Sequence, residues 1–222
     1  MVVSQIMRTE SGKAPRTSYL RYQRTRKVIV VGIGEAGGNI VREIQSTGAL
    51  AGLKAVLQWI HIDTGLWRHR RGVAQNRVPM VTLSLARAST GGRADIGRAV
   101  AWKHCHRLVS LLADTDIVIV LAGMGGGTGG GVAPVVARLA LDVGALTIAA
   151  VTMPFNFEGN RGQKAAASIK RLRRNTDLLL TFSNQDLGAA LGDNTLMTTL
   201  YEVQSKRIAY RLRYLLANLR FD

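Results

Sequence analysis

Two glycine-rich stretches, each closing a run of β-branched residues, limit what this chain can fold into. The first reads Gly32-Ile33-Gly34-Glu35-Ala36-Gly37-Gly38-Asn39, behind Val28-Ile29-Val30-Val31. The second reads Gly123-Met124-Gly125-Gly126-Gly127-Thr128-Gly129-Gly130-Gly131, behind Ile117-Val118-Ile119-Val120-Leu121-Ala122. A short continuous apolar run reads as a strand buried on both faces. Where such a strand passes through glycine into a helix, bare backbone can approach a phosphate, and the helix N-terminus offers unpaired N–H groups and a positive dipole end. One loop of this kind fits a dinucleotide, with Asp63 as the ribose-binding acid, or a tight turn packed on a helix. Two of them, at the carboxyl ends of strands one and four, flank the switch point of a doubly wound sheet and can hold one polyphosphate. That arrangement points to a mononucleotide triphosphate. A P-loop is excluded, because Gly12-Lys13 is followed by Ala14 and lies outside any strand–helix context.

The rest of the pattern agrees with an α/β fold, a three-layer doubly wound, mostly parallel sheet. Strands are predicted over 28–33, 56–62, 78–83, 117–122, 145–151 and 178–182, and helices over 94–112, 132–143, 163–174 and 195–219. Three segments follow: a basic, disordered tail over 1–26, a nucleotide-binding domain over 27–194 and a long helix over 195–222. The 222 residues suffice for about one domain, and at 47% hydrophobic the chain can build a core. The uncharged stretch over 117–137 is long enough to cross a bilayer, but seven of its 21 residues are Gly and Pro134 interrupts it, so a membrane helix is excluded. The tail has no long apolar segment and is not a secretory signal; its composition also fits an organelle transit peptide. A single cysteine, Cys105, excludes a disulfide framework within the chain.

With these residues in place, the chain resembles the tubulin/FtsZ GTPases over roughly 27–219. Gly125 to Gly131 resembles that family's glycine signature, and Val151-Thr152-Met153-Pro154-Phe155-Asn156-Phe157-Glu158-Gly159, Asp95-Ile96-Gly97-Arg98, Gly144-Ala145-Leu146-Thr147, Gln163-Lys164-Ala165-Ala166 and Asn184 match it further. The resemblance implies a cytoplasmic, GTP/GDP-binding protein linked to cell division or filament regulation, with Mg2+ accompanying the triphosphate. It implies that Gly34, Ala36, Gly37, Gly38 and Asn39 lie at the α- and β-phosphates and Gly91 and Gly92 near the γ-phosphate. Gly123, Gly125, Gly126, Gly127, Thr128 and Gly129 then complete the cradle. Glu158 would accept from the ribose hydroxyls, Asn184 would face the base and Tyr201 would stack on it; a carboxylate suits a diol because it only accepts.

Several positions depart from the family. Gly130 stands where a small or hydroxylic residue is expected, and Gly162 where the ribose-side Arg is expected, with Arg161 one place earlier. The guanine-reading Asp aligns with Ser205, which puts guanine selectivity in doubt, and the turn after the second strand reads Asp63-Thr64-Gly65. The chain stops at Asp222 as the long helix closes. The family's hydrolysis is completed by an acidic loop beyond that helix, so the resemblance implies very weak intrinsic hydrolysis and no head-to-tail filament from this chain alone. Capping of full-length FtsZ filaments is the regulatory role expected on that basis, beside the plainer readings of a degenerate paralogue or a gene fragment.

Positive charge is the remaining signal, with 30 Lys+Arg against 14 Asp+Glu. It clusters in the tail, at Arg68, Arg70 and Arg71, in the predicted helix from Lys164 to Arg174, and from Lys206 to Arg220. An acidic protein such as full-length FtsZ, nucleic acid or an anionic membrane surface would be drawn to it, or the surface is simply solvated. A Rossmann-type dinucleotide binder and a basic nucleic-acid-binding module are the competing functions. His104-Cys105-His106 is not expected to hold a metal, because side chains two apart on a helix diverge. Asp114 and Asp116 read as turn residues.

Overall fold

A computed structural model describes residues 25–65, 80–86, 89–192 and 194–219. Its sheet is built from β1 (Arg26–Ile33), β2 (Ala55–Asp63), β3 (Met80–Ser84), β4 (Ile117–Gly123), β5 (Leu146–Met153) and β6 (Leu178–Ser183). The strand order is β3-β2-β1-β4-β5-β6 and every pairing is parallel. The order reverses between β1 and β4, where Val28 pairs with Ile117 and Ile33 with Ala122. That junction is the switch point at which such sheets bind ligands.

The continuous apolar runs divide by alternate residues between two cores, as a strand buried on both faces requires. Ile29, Val31 and Ile33 of β1 and Val118, Val120 and Ala122 of β4 face one layer of helices. That layer consists of α2 (Ala94–Lys103), α3 (Cys105–Leu112), α4 (Gly127–Asp142) and α5 (Arg161–Arg173), which contribute Ala101, Leu108, Val136 and Leu172. Val28, Val30, Ile117, Ile119 and Leu121 face the other layer. There Ile40, Val41 and Ile44 come from α1 (Gly34–Thr47) and Ile208, Leu212 and Leu216 from the last helix. With α6 (Asn184–Leu191), that last helix, α7 (Met197–Asn218), completes the chain of elements. Among the described residues no helix is long and apolar enough to cross a membrane.

The structure corrects the expected elements in three places. The helix predicted over 94–112 is two helices, because His104 leaves helical geometry at φ −107°, ψ 18°. The helix predicted to begin at 132 begins at Gly127, so half of the second glycine run is helical. The first run holds no loop at all, since β1 ends at Ile33 and α1 begins at Gly34. Of the expected strand over 78–83, residues 78 and 79 lie outside the described residues, as do tail residues 1–24 and the arginines at 68, 70 and 71.

Candidate functional site

The carboxyl ends of β1, β4 and β5 open into a cavity of about 830 Å3, within the size range of small-molecule sites. Its floor is the two glycine runs. Gly34, Ala36 and Asn39 of the first line it, together with Gly123, Gly126, Gly127, Thr128 and Gly129 of the second. Gly34 has φ +67°, a conformation that favours glycine and lets β1 turn directly into α1. The turn after β2 reaches the second run: Thr64 Oγ1, on a fully buried residue, lies 2.6 Å from Thr128 Oγ1. Asp63 Oδ1 accepts from the N–H groups of Thr64 and Gly65 and shapes the turn that carries Thr64 inward.

Not every expected residue reaches the cavity. Gly92 lines it beside Ser89 and Thr90, whereas Gly91 does not. Gly37 and Gly38 face the sheet, where a methyl group would stand 2.3 Å from the Leu121 carbonyl and 2.9 Å from the His61 ring. That ring is buried, and its Nε2 donates to the Gly34 carbonyl at 3.1 Å. Gly125 lies against the Arg161 backbone. At Gly130, Ser168 Oγ of α5 stands 2.7 Å from where a Cβ would be, so α5 fills the space that the family's larger residue would need.

A second wall comes from the segment after β5. Glu158 lines the cavity; its Oε1 accepts from Phe155 N–H at 2.8 Å and its Oε2 from Arg161 at 2.5 Å. Arg161 lines the cavity as well, so displacement of the arginine by one position in the sequence does not remove it from this wall. Tyr201 meets Phe155 edge-on at 6.4 Å, and Phe155 stacks on Phe157 at 5.0 Å. Burial, and then the charge of Glu158, raise the Tyr201 pKa above the ordinary phenol value, which keeps the hydroxyl neutral at physiological pH.

The end of the cavity formed by α6 and α7 is lined by Asn184, Tyr201, Glu202, Gln204 and Ser205. Here the amide orientations follow from chemistry. Gln204 Nε2 donates to the Ser183 carbonyl at 3.0 Å, and a carbonyl can only accept. Gln204 Oε1 accepts from the Arg207 guanidinium at 3.4 Å, which can only donate. The same Nε2 donates to Asn184 Oδ1 at 3.1 Å. Asn184 is therefore held with its oxygen committed, and Nδ2, a donor, is the amide atom left to the cavity. Arg42 likewise engages Asn39 Oδ1. Sequence reading missed Gln204, although three residues after Tyr201 on one helix it falls on the same face. Thr64 was visible only as a departure from a turn.

Five carboxylates, those of Glu35, Glu43, Asp63, Glu158 and Glu202, line this cavity against one guanidinium, Arg161. The donors for phosphate oxygens are thus backbone N–H groups and the Thr128 hydroxyl. Among the described residues no three of His, Cys, Asp and Glu come together as metal ligands, so a divalent cation accompanying a triphosphate would rest chiefly on the phosphate oxygens.

The sheet order, the ligand cavity at its switch point and the paired glycine floors define a Rossmann-like nucleotide-binding domain. Residues 27–192 match the family model described as Tubulin/FtsZ family, GTPase domain, and the chain belongs to that family. It is similar to the cell division protein FtsZ of Magnetospirillum gryphiswaldense, at 34% identity over 80% of this chain and 31% of that protein. It is also similar to FtsZ 1 of Methanocaldococcus jannaschii, at 35% identity over 74% of this chain and 44% of that one. The chain thus spans less than half the length of these two curated relatives. Among solved structures it is similar to an empty FtsZ dimer from M. jannaschii, with TM-score 0.72 and 28% identity over 91% of this chain and 57% of that one. A GTPγS-bound protofilament of CetZ2 from Haloferax volcanii gives TM-score 0.70 and 27% identity over 86% and 58%.

Proposed function

We propose that this chain binds guanine nucleotide as its Mg2+ complex in the switch-point cavity and acts in FtsZ-based cell division. The observation that carries this reading is the locked amide of Asn184. A donor fixed in the base end of the cavity matches the carbonyl at position 6 of guanine and opposes the amine of adenine there. Ser205 has no carboxylate for the exocyclic amine of guanine, so selection falls on that carbonyl. The glycine floors take the phosphates, Glu158 the ribose, and Tyr201 the face of the base. With five carboxylates around it, a triphosphate needs a divalent ion to offset repulsion, and the phosphate oxygens carry that ion.

Calorimetric titration with GTP, ITP, ATP and NAD in Mg2+ tests the reading. GTP and ITP, which share the carbonyl, bind within a few-fold of one another, and ATP binds about ten-fold or more weakly, as expected when a polar site is left unmatched. Chelation of Mg2+ weakens all three triphosphates. Tight NAD binding without triphosphate binding would overturn the assignment in favour of a dinucleotide protein. Gln204→Leu frees the amide and brings the GTP and ATP affinities together.

The curated FtsZ relatives are named for cell division, and the solved neighbours are an FtsZ dimer and a CetZ2 protofilament. That supports a second FtsZ-family subunit as partner and a cytoplasmic place of action. Co-sedimentation with full-length FtsZ at low salt, where opposite charges attract over the longest range, tests the partnership.

A further inference from the structure

On the outer surface of the helix layer formed by α2, α4 and α5 lies a separate concavity of about 550 Å3, which shares no lining residue with the switch-point cavity. Arg98 and Trp102, one turn apart on α2, form one side; Arg138 of α4 and Arg171 and Arg174 at the end of α5 form the other, over a floor of Pro134 and Val135. Trp102 is 45% exposed, a large indole left in solvent although it stands beside an apolar floor. The single acid is Asp142, already paired with Arg138 at 2.9 Å. The arginines of α5 gain a little from the helix C-terminus, which favours cations. Nothing in the fold gains from the exposure of Trp102.

We propose that this groove binds single-stranded nucleic acid, with a base stacked on Trp102 and the flanking phosphates held by Arg98, Arg171 and Arg174. A single strand alternates flat π-faces with anionic phosphates, and the groove pairs an aromatic face with guanidiniums in the same way. An acidic peptide would satisfy the arginines and leave the indole exposed. A duplex hides its base faces in the stack, and its convex backbone does not reach the floor.

The test uses the full chain and fluorescein-labelled oligo(dT), followed by anisotropy and by tryptophan quenching, with poly-glutamate, duplex DNA and excess Mg-GTP as competitors. Trp59 is buried and Trp67 lies outside the described residues, so the quench is assigned to Trp102 by its loss in Trp102→Ala, together with about five-fold or more of the affinity. Arg171→Gln with Arg174→Gln lowers the salt slope by about 1 to 1.5, at about 0.7 per single-strand phosphate contact. Mg-GTP leaves the complex intact. Equal affinity of wild type and Trp102→Ala would overturn the proposal, as would displacement by Mg-GTP or preferential binding of poly-glutamate. Native melting curves for both variants exclude unfolding as the cause, and Trp67→Phe, which keeps the quench, separates Trp102 from the third tryptophan.

Discussion

In the first glycine run, Gly34 turns the strand into a helix while Gly37 and Gly38 are spent on contact with Leu121 and His61. In the second, Gly126 has no atom within 4 Å of an added Cβ. Three of its neighbours have backbone or side-chain oxygens in that place: Gly127 at 2.0 Å, Gly129 at 2.1 Å and Gly131 at 2.4 Å. The two runs look alike as text and differ in what they face: the first lays a helix on the sheet, and the second also brings α2 onto α4, where a Cβ on Gly97 would stand 2.3 Å from the Gly127 carbonyl oxygen. Glycine density behind a strand therefore signals close approach of backbone to something, and only the packing tells whether that is a helix, a strand or a ligand.

This contrast is open to attack at graded cost. The largest effect is expected from Gly37→Val, which drives a side chain into the backbone of the central strand; stability falls by about 3 kcal/mol or more in a urea melt. A loss below about 1 kcal/mol would remove Gly37 from the helix–sheet contact. Gly130→Ala comes next, at about 1–2 kcal/mol from overpacking against Ser168. Adding Ser168→Ala should recover about half of that in a double-mutant cycle, and strict additivity of the two changes would break the pairing of α4 with α5 at this point. Thr64→Val keeps the shape and removes the hydroxyl that ties the turn after β2 to the second run, at a cost of about 1 kcal/mol in the same melt. Smallest in stability is Gly126→Ala, within about 0.5 kcal/mol of wild type, because the methyl enters open space. It should still weaken GTP several-fold in calorimetry, since that space belongs to the ligand.

The architecture was legible because its signal is redundant. Six apolar runs, a parallel order and a switch point each follow from β-branched content and spacing, and an error of a residue or two at a strand end changes none of them. Helix ends were less legible. Glycine is read as a helix breaker, yet Gly127 to Gly131 are helical because the tertiary contact they permit outweighs about 1 kcal/mol of propensity at each. The site divides in the same way. Residues recognised by position, such as Thr128, Glu158 and Tyr201, line the cavity. Those whose role depends on a partner elsewhere in the chain were less visible, because Thr64 needs Thr128, 64 residues on, and Gln204 acts by holding Asn184.

The adjacency of β1 and β4 has a consequence during synthesis. Lys27 N–H donates to Asp116 Oδ2 at 2.7 Å across 89 residues of chain, so one wall of the cavity leaves the ribosome long before the other. At about 5–20 residues per second, β1 waits roughly 4–18 s for the strand that will lie beside it. During that interval Val28 to Val31 present an unpaired apolar edge, the kind of surface that strands of other chains add to. The nascent chain is therefore exposed to mispairing before it has any capacity to bind a ligand, and trigger-factor-type shielding of the first hundred residues should raise its soluble yield more than any ligand supplied afterwards.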